Sequence, residues 1–197
     1  MKKYKELIIN AGIQDWAIKD LLILNQDKLM QLFLKLPCPS MQDMQGEFRG
    51  DILDTGRFWL IKDICVHWAL NSNFNCGRWL GKGFAKDSDS EGHGYNSYLR
   101  FGKISHIYPM KTKIAKSIFD GKDQFELDYT VFNSGSGLIN MVDEVRKIND
   151  NLYLGIGTWG YFKWQRRIPW FFALSGPRGR YAGVDEPHKE SNRKFTR

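Results

Sequence analysis

Four histidines, three cysteines and a set of carboxylates are the residues from which a reactive site would be built, and their spacing narrows the chemistry. His93, Tyr95 and Asn96 follow the polar run 87–92. A loop opening into an alternating segment is where a small molecule would enter, so these side chains are placed to hydrogen-bond its polar end. The run Asp143-Glu144-Val145-Arg146 lies inside a second alternating segment, where Glu144 and Arg146 share a face with Leu138, Asn140, Val142 and Ile148. If that face turns inward, the planar guanidinium of Arg146 suits a ligand carboxylate; if it turns outward, a cross-strand salt bridge results. His93 working with Asp128 or Glu144 would be a general acid–base pair, which needs geometry and leaves no motif. A binding protein and an acid–base enzyme of isomerase or lyase type, acting on an apolar substrate, both follow from these residues.

Other chemistries are excluded by spacing. His67, His106 and His188 have no common interval with His93, and Cys38, Cys65 and Cys76 include no Cys-x-x-Cys pair, so no metal site and no cofactor are expected. Gly77-x-x-x-Gly81-Lys82 is one residue short of a phosphate-binding loop and continues with Gly83 where Ser or Thr would hold Mg²⁺. No Gly-x-Ser-x-Gly and no His-Glu-x-x-His occurs.

The charge is unevenly spread. The formal net charge is +7, yet residues 1–162 hold 20 Lys/Arg against 19 Asp/Glu, while residues 163–197 hold 9 against 3. Residues 176–197 therefore read as a basic, flexible tail able to make weak polyanion contacts by counterion release, and a nucleic-acid-binding module is a third reading. The segment Trp159–Phe172 interleaves aromatic and basic residues, a composition found in single-strand binders and in segments lying at a membrane interface. It also fits two strands joined by the basic turn Lys163–Arg167.

These side chains need a scaffold. With 197 residues, 42% hydrophobic and 14% aromatic, the chain folds as one domain. An odd cysteine count, no Asn-x-Ser/Thr, no signal peptide and no long apolar run predict a cytoplasmic protein without a membrane-spanning helix. Residues 15–36 favour helix, with Leu29, Leu32, Phe33 and Leu36 on one face before Pro37, and 57–70 form a second helical candidate. Elsewhere period two takes over. Phe125, Leu127, Tyr129 and Val131 point one way and Gln124, Glu126, Asp128 and Thr130 the other. Seven further strands are expected at 46–53, 79–84, 94–101, 104–114, 138–148, 152–161 and 168–175, with turn signals about every ten residues. An antiparallel meander of eight strands removes its exposed edges by closing, so the fold class is mainly β: an up-and-down barrel with N-terminal helices, one of which would cap its open end.

Gly77-Arg78-Trp79 at the start of a strand, with the pieces 79–84, 92–96, 125–129 and 141–155, resembles the small bacterial lipocalin-like (calycin-type) barrels that carry a Gly-x-Trp-x-Gly-like element, over about residues 77–160. The resemblance implies a barrel interior that takes one small ligand, with Trp79 closing the base. The expected organisation is a helical segment over 1–45, a barrel over 46–175 and the tail over 176–197. The expected function is binding of a small hydrophobic or amphiphilic, fatty-acid-like molecule. Trp79, Tyr95, Tyr129 and Trp159 would form its apolar walls, with His93 and Arg146 as polar anchors.

Overall fold

The computed structural model describes residues 12–53, 77–185 and 189–191; the helical candidate over 57–70 lies outside them. Eight strands are present: β1 Gly46–Ile52, β2 Arg78–Lys86, β3 Glu91–Arg100, β4 Lys103–Lys116, β5 Asp123–Asp128, β6 Val142–Asn149, β7 Leu152–Thr158 and β8 Trp170–Gly179. Each pairs antiparallel with the next, and β8 returns to β1 through pairs such as Gly50↔Leu174, so the sheet is a closed up-and-down barrel. Closure leaves no free edge.

Several boundaries differ from the sequence expectation: β7 ends at Thr158 rather than 161, β8 runs to Gly179 into the expected tail, and two others have local causes. β5 stops at Asp128 because the Asp128 carboxylate accepts from both the backbone N–H and the hydroxyl of Thr130, which turns the chain. The residues before Val142 are not strand: a short helix, α3 (Gly135–Leu138), is capped by the Ser134 hydroxyl accepting from Gly137 N–H, and Asn140 has φ 54°. N-capping by Ser and the left-handed tolerance of Asn override the apolar pattern there.

Register decides which side chains face inward. Leu127 pairs with Asp143, Asp143 with Gly157, Gly155 with Phe172, and Lys82 with both Phe48 and Asn96, so these rows share the interior. Phe48, Phe84, Phe125, Val145 and Tyr153 fill the lower half of the interior, and Met41 and Met44 join them from the segment before β1, closing that end. The alternate rows face out, and on β7 and β8 they are apolar: Leu152, Leu154, Ile156, Phe171 and Ala173.

That outward apolar face explains where the N-terminal helices lie. The expected helix is broken into α1 (Ile18–Leu22) and α2 (Gln26–Phe33), with the Asn25 side chain accepting from Lys28 N–H at 3.1 Å to start the second. Leu21, Leu29, Leu32, Phe33 and Leu36 are buried against the outer face of β6–β8. The helices therefore cover the barrel wall; the two methionines fill the end. Beyond β8 the chain runs back along the outside, with Asp185 N–H donating to His106 O, Ala182 N–H to the Tyr95 hydroxyl and Ser191 N–H to Val131 O. Among the described residues no helix is long and apolar enough to cross a membrane.

Candidate functional site

Inside the barrel, between the packed lower half and the opposite end, four polar side chains meet. Lys82 (β2) is buried among the rings of Trp79, Tyr129 and Phe172, each 5.1–5.6 Å from its ammonium. It donates to Asp143 Oδ2 at 2.9 Å, to Asn96 Oδ1 at 2.9 Å and to the Tyr129 hydroxyl. Three N–H groups thus meet three acceptors. Asn96 also accepts from Trp79 Nε1 at 3.0 Å and donates from Nδ2 to the Tyr129 hydroxyl at 3.0 Å, and that hydroxyl lies 3.2 Å from Asp143 Oδ2.

Local backbone irregularity makes this convergence possible. Trp79 and Lys82 are three apart and would face opposite sides of a regular strand. A register shift between Trp79 and Gly81 inserts one residue, so both turn inward. Gly81 sits there at φ 145°, and a Cβ on it would lie 1.9 Å from Phe48 O, so only glycine fits. The two large rings likewise lie over glycines: a Cβ on Gly50 would be 2.3 Å from the Trp79 ring, and one on Gly155 would be 2.2 Å from the Phe172 ring.

Electrostatics set the protonation states. Burial pushes the Lys82 ammonium below its usual value, an effect the Asp143 carboxylate opposes, and the 2.9 Å contact joins them as a buried ion pair. Burial, reinforced by Asp143, raises Tyr129 well above the ordinary phenol value, so its hydroxyl keeps its proton. The pair is asymmetric. Asp143 Oδ2 accepts from Lys82 and Tyr129, whereas Asp143 Oδ1, equally buried, has no hydrogen-bond partner. Across from Oδ1 stands Gly157, whose hypothetical Cβ would meet it at 3.2 Å. An unsatisfied buried carboxylate oxygen costs about 1–3 kcal/mol or more, and a donor brought by a bound molecule would remove that cost.

Of the residues expected from sequence, Trp79, Asn96 and Tyr129 are in this cluster. Trp159 lies near the same end, 39% exposed, its ring 6.2 Å from that of Trp170. His93, Tyr95 and Arg146 are not brought to the cluster; His93 and Tyr95 meet across the Tyr181 ring (centroids 5.2 and 4.9 Å), and Arg146 lies apart from both. His93 and Tyr95 pack outside the barrel. The His93 Nδ1 is 2.9 Å from the Asp87 carboxylate, and Tyr95 donates to Glu47 while stacking on His106 at 4.4 Å. Burial raises the Glu47 carboxyl.

Arg146 also faces out, beneath α2. It forms a two-pronged pair with Asp120 (2.9 and 2.6 Å), donates to Phe33 O at 3.0 Å and lies over the Phe33 ring at 4.6 Å, with Nε unpaired. The Glu144–Arg146 face thus points outward, and the partner of Arg146 is in the β4–β5 connection, not on a neighbouring strand. The proposed partners of His93 are engaged elsewhere: Asp128 with Thr130, and Glu144 with Ser117 Oγ at 2.5 Å and Ile118 N–H at 3.0 Å. Lys82 and Asp143 join Asn96 in the site without having been singled out as site residues by sequence. The available signal was a Lys and an Asp in rows otherwise apolar. Among the described residues no three His, Cys, Asp or Glu gather as a metal site would require.

A solved structure of a protein from Thermomonospora curvata has a similar fold, with a TM-score of 0.52 and 17% sequence identity over 88% of this chain and 95% of that one. No family model and no curated protein matches the chain.

Proposed function

We propose that the barrel binds a small, mainly apolar molecule whose polar end reaches Asp143 Oδ1. The single observation carrying this reading is the unpartnered, buried carboxylate oxygen beside Gly157, in an interior where the ammonium of the same ion pair has all three donors matched. Such a pair is balanced in charge, so a carboxylate end, as in a fatty acid, would be set against Asp143. A neutral hydroxyl or N–H end would be received. Trp79, Tyr129 and Phe172 supply the apolar walls at this level. Native mass spectrometry of the purified protein is expected to show a bound small molecule. The double variant Lys82→Met/Asp143→Leu, which removes the ion pair without orphaning either charge, is expected to lack it. A bound molecule retained by that variant would refute the reading.

One observation favours acid–base turnover as the second reading: the Tyr129 hydroxyl contacts both Lys82 and Asp143, so a proton has a continuous route between them. Conversion of the co-purified molecule by the wild type and not by Tyr129→Phe would establish an isomerase- or lyase-type enzyme. Unchanged ligand in both would leave a binder.

A further inference from the structure

An up-and-down barrel sends alternate connections to opposite ends. The described connections β3–β4, β5–β6 and β7–β8 emerge at the end nearer Lys82; β2–β3, β4–β5 and β6–β7 emerge at the end closed by Met41 and Met44. The two sets differ sharply in composition. The first exposes Phe101, Ile104, Leu138, Ile139, Trp159, Tyr161, Phe162 and Trp164, each at least 39% accessible. With the strand ends that flank them, these connections carry Arg100, Lys103, Lys163, Arg166 and Arg167 against one carboxylate, Asp128. The second, counted in the same way, presents Asp87, Asp89, Glu91, Asp120, Asp123 and Asp150 against Lys86, Lys116 and Lys122.

The exposed rings are held in place by a bonded loop. Gln165 Oε1 accepts from Tyr161 N–H at 2.9 Å and Phe162 N–H at 3.0 Å, and Arg166 donates to Gly160 O and Tyr161 O. The Tyr161 hydroxyl donates to Leu138 O at 2.7 Å and Gly160 N–H to Ile139 O at 2.9 Å, tying two connections into one platform. Apolar side chains fixed outward in water on a cationic platform mark a docking surface.

We propose that this end of the barrel docks on an anionic lipid surface, with Tyr161, Phe162 and Trp164 entering the headgroup layer and the basic residues contacting lipid phosphates. Tyr and Trp suit a boundary with one apolar and one wet side, and an apolar–basic face is the composition of interfacial segments. The aliphatic Ile104, Leu138 and Ile139 distinguish this surface from a nucleic-acid platform. They offer no ring for a base to stack on, but gain from leaving water at an acyl boundary.

The test is co-sedimentation of the full-length protein with vesicles of equimolar phosphatidylcholine and phosphatidylglycerol, against vesicles of phosphatidylcholine alone. Binding is expected to the anionic vesicles, with a blue shift of tryptophan emission. Lys103→Gln/Lys163→Gln/Arg167→Gln should lower the partition coefficient roughly a hundredfold, about fivefold for each charge. Phe162→Ser/Trp164→Ser should remove the blue shift while circular dichroism remains that of the wild type. A variant with Arg193, Lys194 and Arg197 all changed to Gln should bind as the wild type does; if it alone loses binding, the tail is the contact and the proposal fails. The proposal is also overturned if wild-type protein ignores anionic vesicles, if the rim variants bind as wild type, or if a single-stranded oligonucleotide competes the protein off the vesicles through the same rim residues.

Discussion

Two buried cations in this molecule pair with two aspartates, and the difference between the pairs separates structure from function. On the outer wall, Arg146 engages both oxygens of Asp120, and Lys122 N–H adds a further bond to Oδ1 at 3.1 Å. Those bonds fasten the β4–β5 connection, and through Phe33 O the end of α2, to the barrel. In the interior, Lys82 engages one oxygen of Asp143 and the other has no partner. A buried ion pair costs desolvation that good geometry at best repays, so a pair with half of its carboxylate idle is poor as a fastening and serviceable as a receptor.

This contrast can be broken by mutation. The largest effect is expected from Arg146→Ala, which strands Asp120 beneath α2 and removes the contact with the Phe33 ring. Unfolding by urea should show a loss of about 3–5 kcal/mol, with binding intact in whatever remains folded. Replacing the interior pair by Lys82→Met/Asp143→Leu should do the reverse. Stability should be unchanged or should rise by as much as about 4 kcal/mol in the same experiment, while ligand binding disappears. A large loss of stability in the second variant would make the interior pair a fastening after all.

Two smaller effects sharpen the comparison. Gly155→Ala drives a methyl group into the Phe172 ring and should cost about 1–3 kcal/mol by thermal or chemical unfolding, because the interior is already filled at that point. The outer pair should also leave a signature in pH. Its hydrogen bond to Arg146 holds the Asp120 carboxyl below the ordinary carboxylate range. Asp120 therefore contributes stability at pH above that range, and the contribution is lost as pH falls through its folded value. Asp120→Asn should be less stable than the wild type near neutrality and approach it in acid.

Strand alternation, clearest over 124–132, and turn chemistry made the barrel legible in the sequence, since Gly, Asn, Asp or Ser recurs between the segments. The broken N-terminal helix and α3 were not, because Asn25 and Ser134 act through single capping bonds that hydrophobic spacing does not register. Inward and outward faces were the hardest to read. Arg146, on a buried strand with apolar residues on both sides, is inward or outward according to what covers the barrel, and α2 covers it. Trp79 and Lys82 reach one site through an extra residue that breaks alternation. Tyr129 was legible because the sequence of β5 alternates without interruption and the pattern runs on to it past the strand's end.

Receipt of a donor by the idle oxygen of Asp143, from a molecule bound beside Gly157, is the contact on which the binding reading stands. It is tested most directly by fluorescence titration with 1-aminoanthracene, a neutral, apolar probe bearing an N–H donor, against wild type and Gly157→Ala. One saturable site is expected in the wild type, with affinity about tenfold weaker in the variant, corresponding to one lost hydrogen bond to a buried carboxylate, and with Tm unchanged. Failure of the wild type to bind the probe, or equal affinity in the variant at equal Tm, would contradict the account.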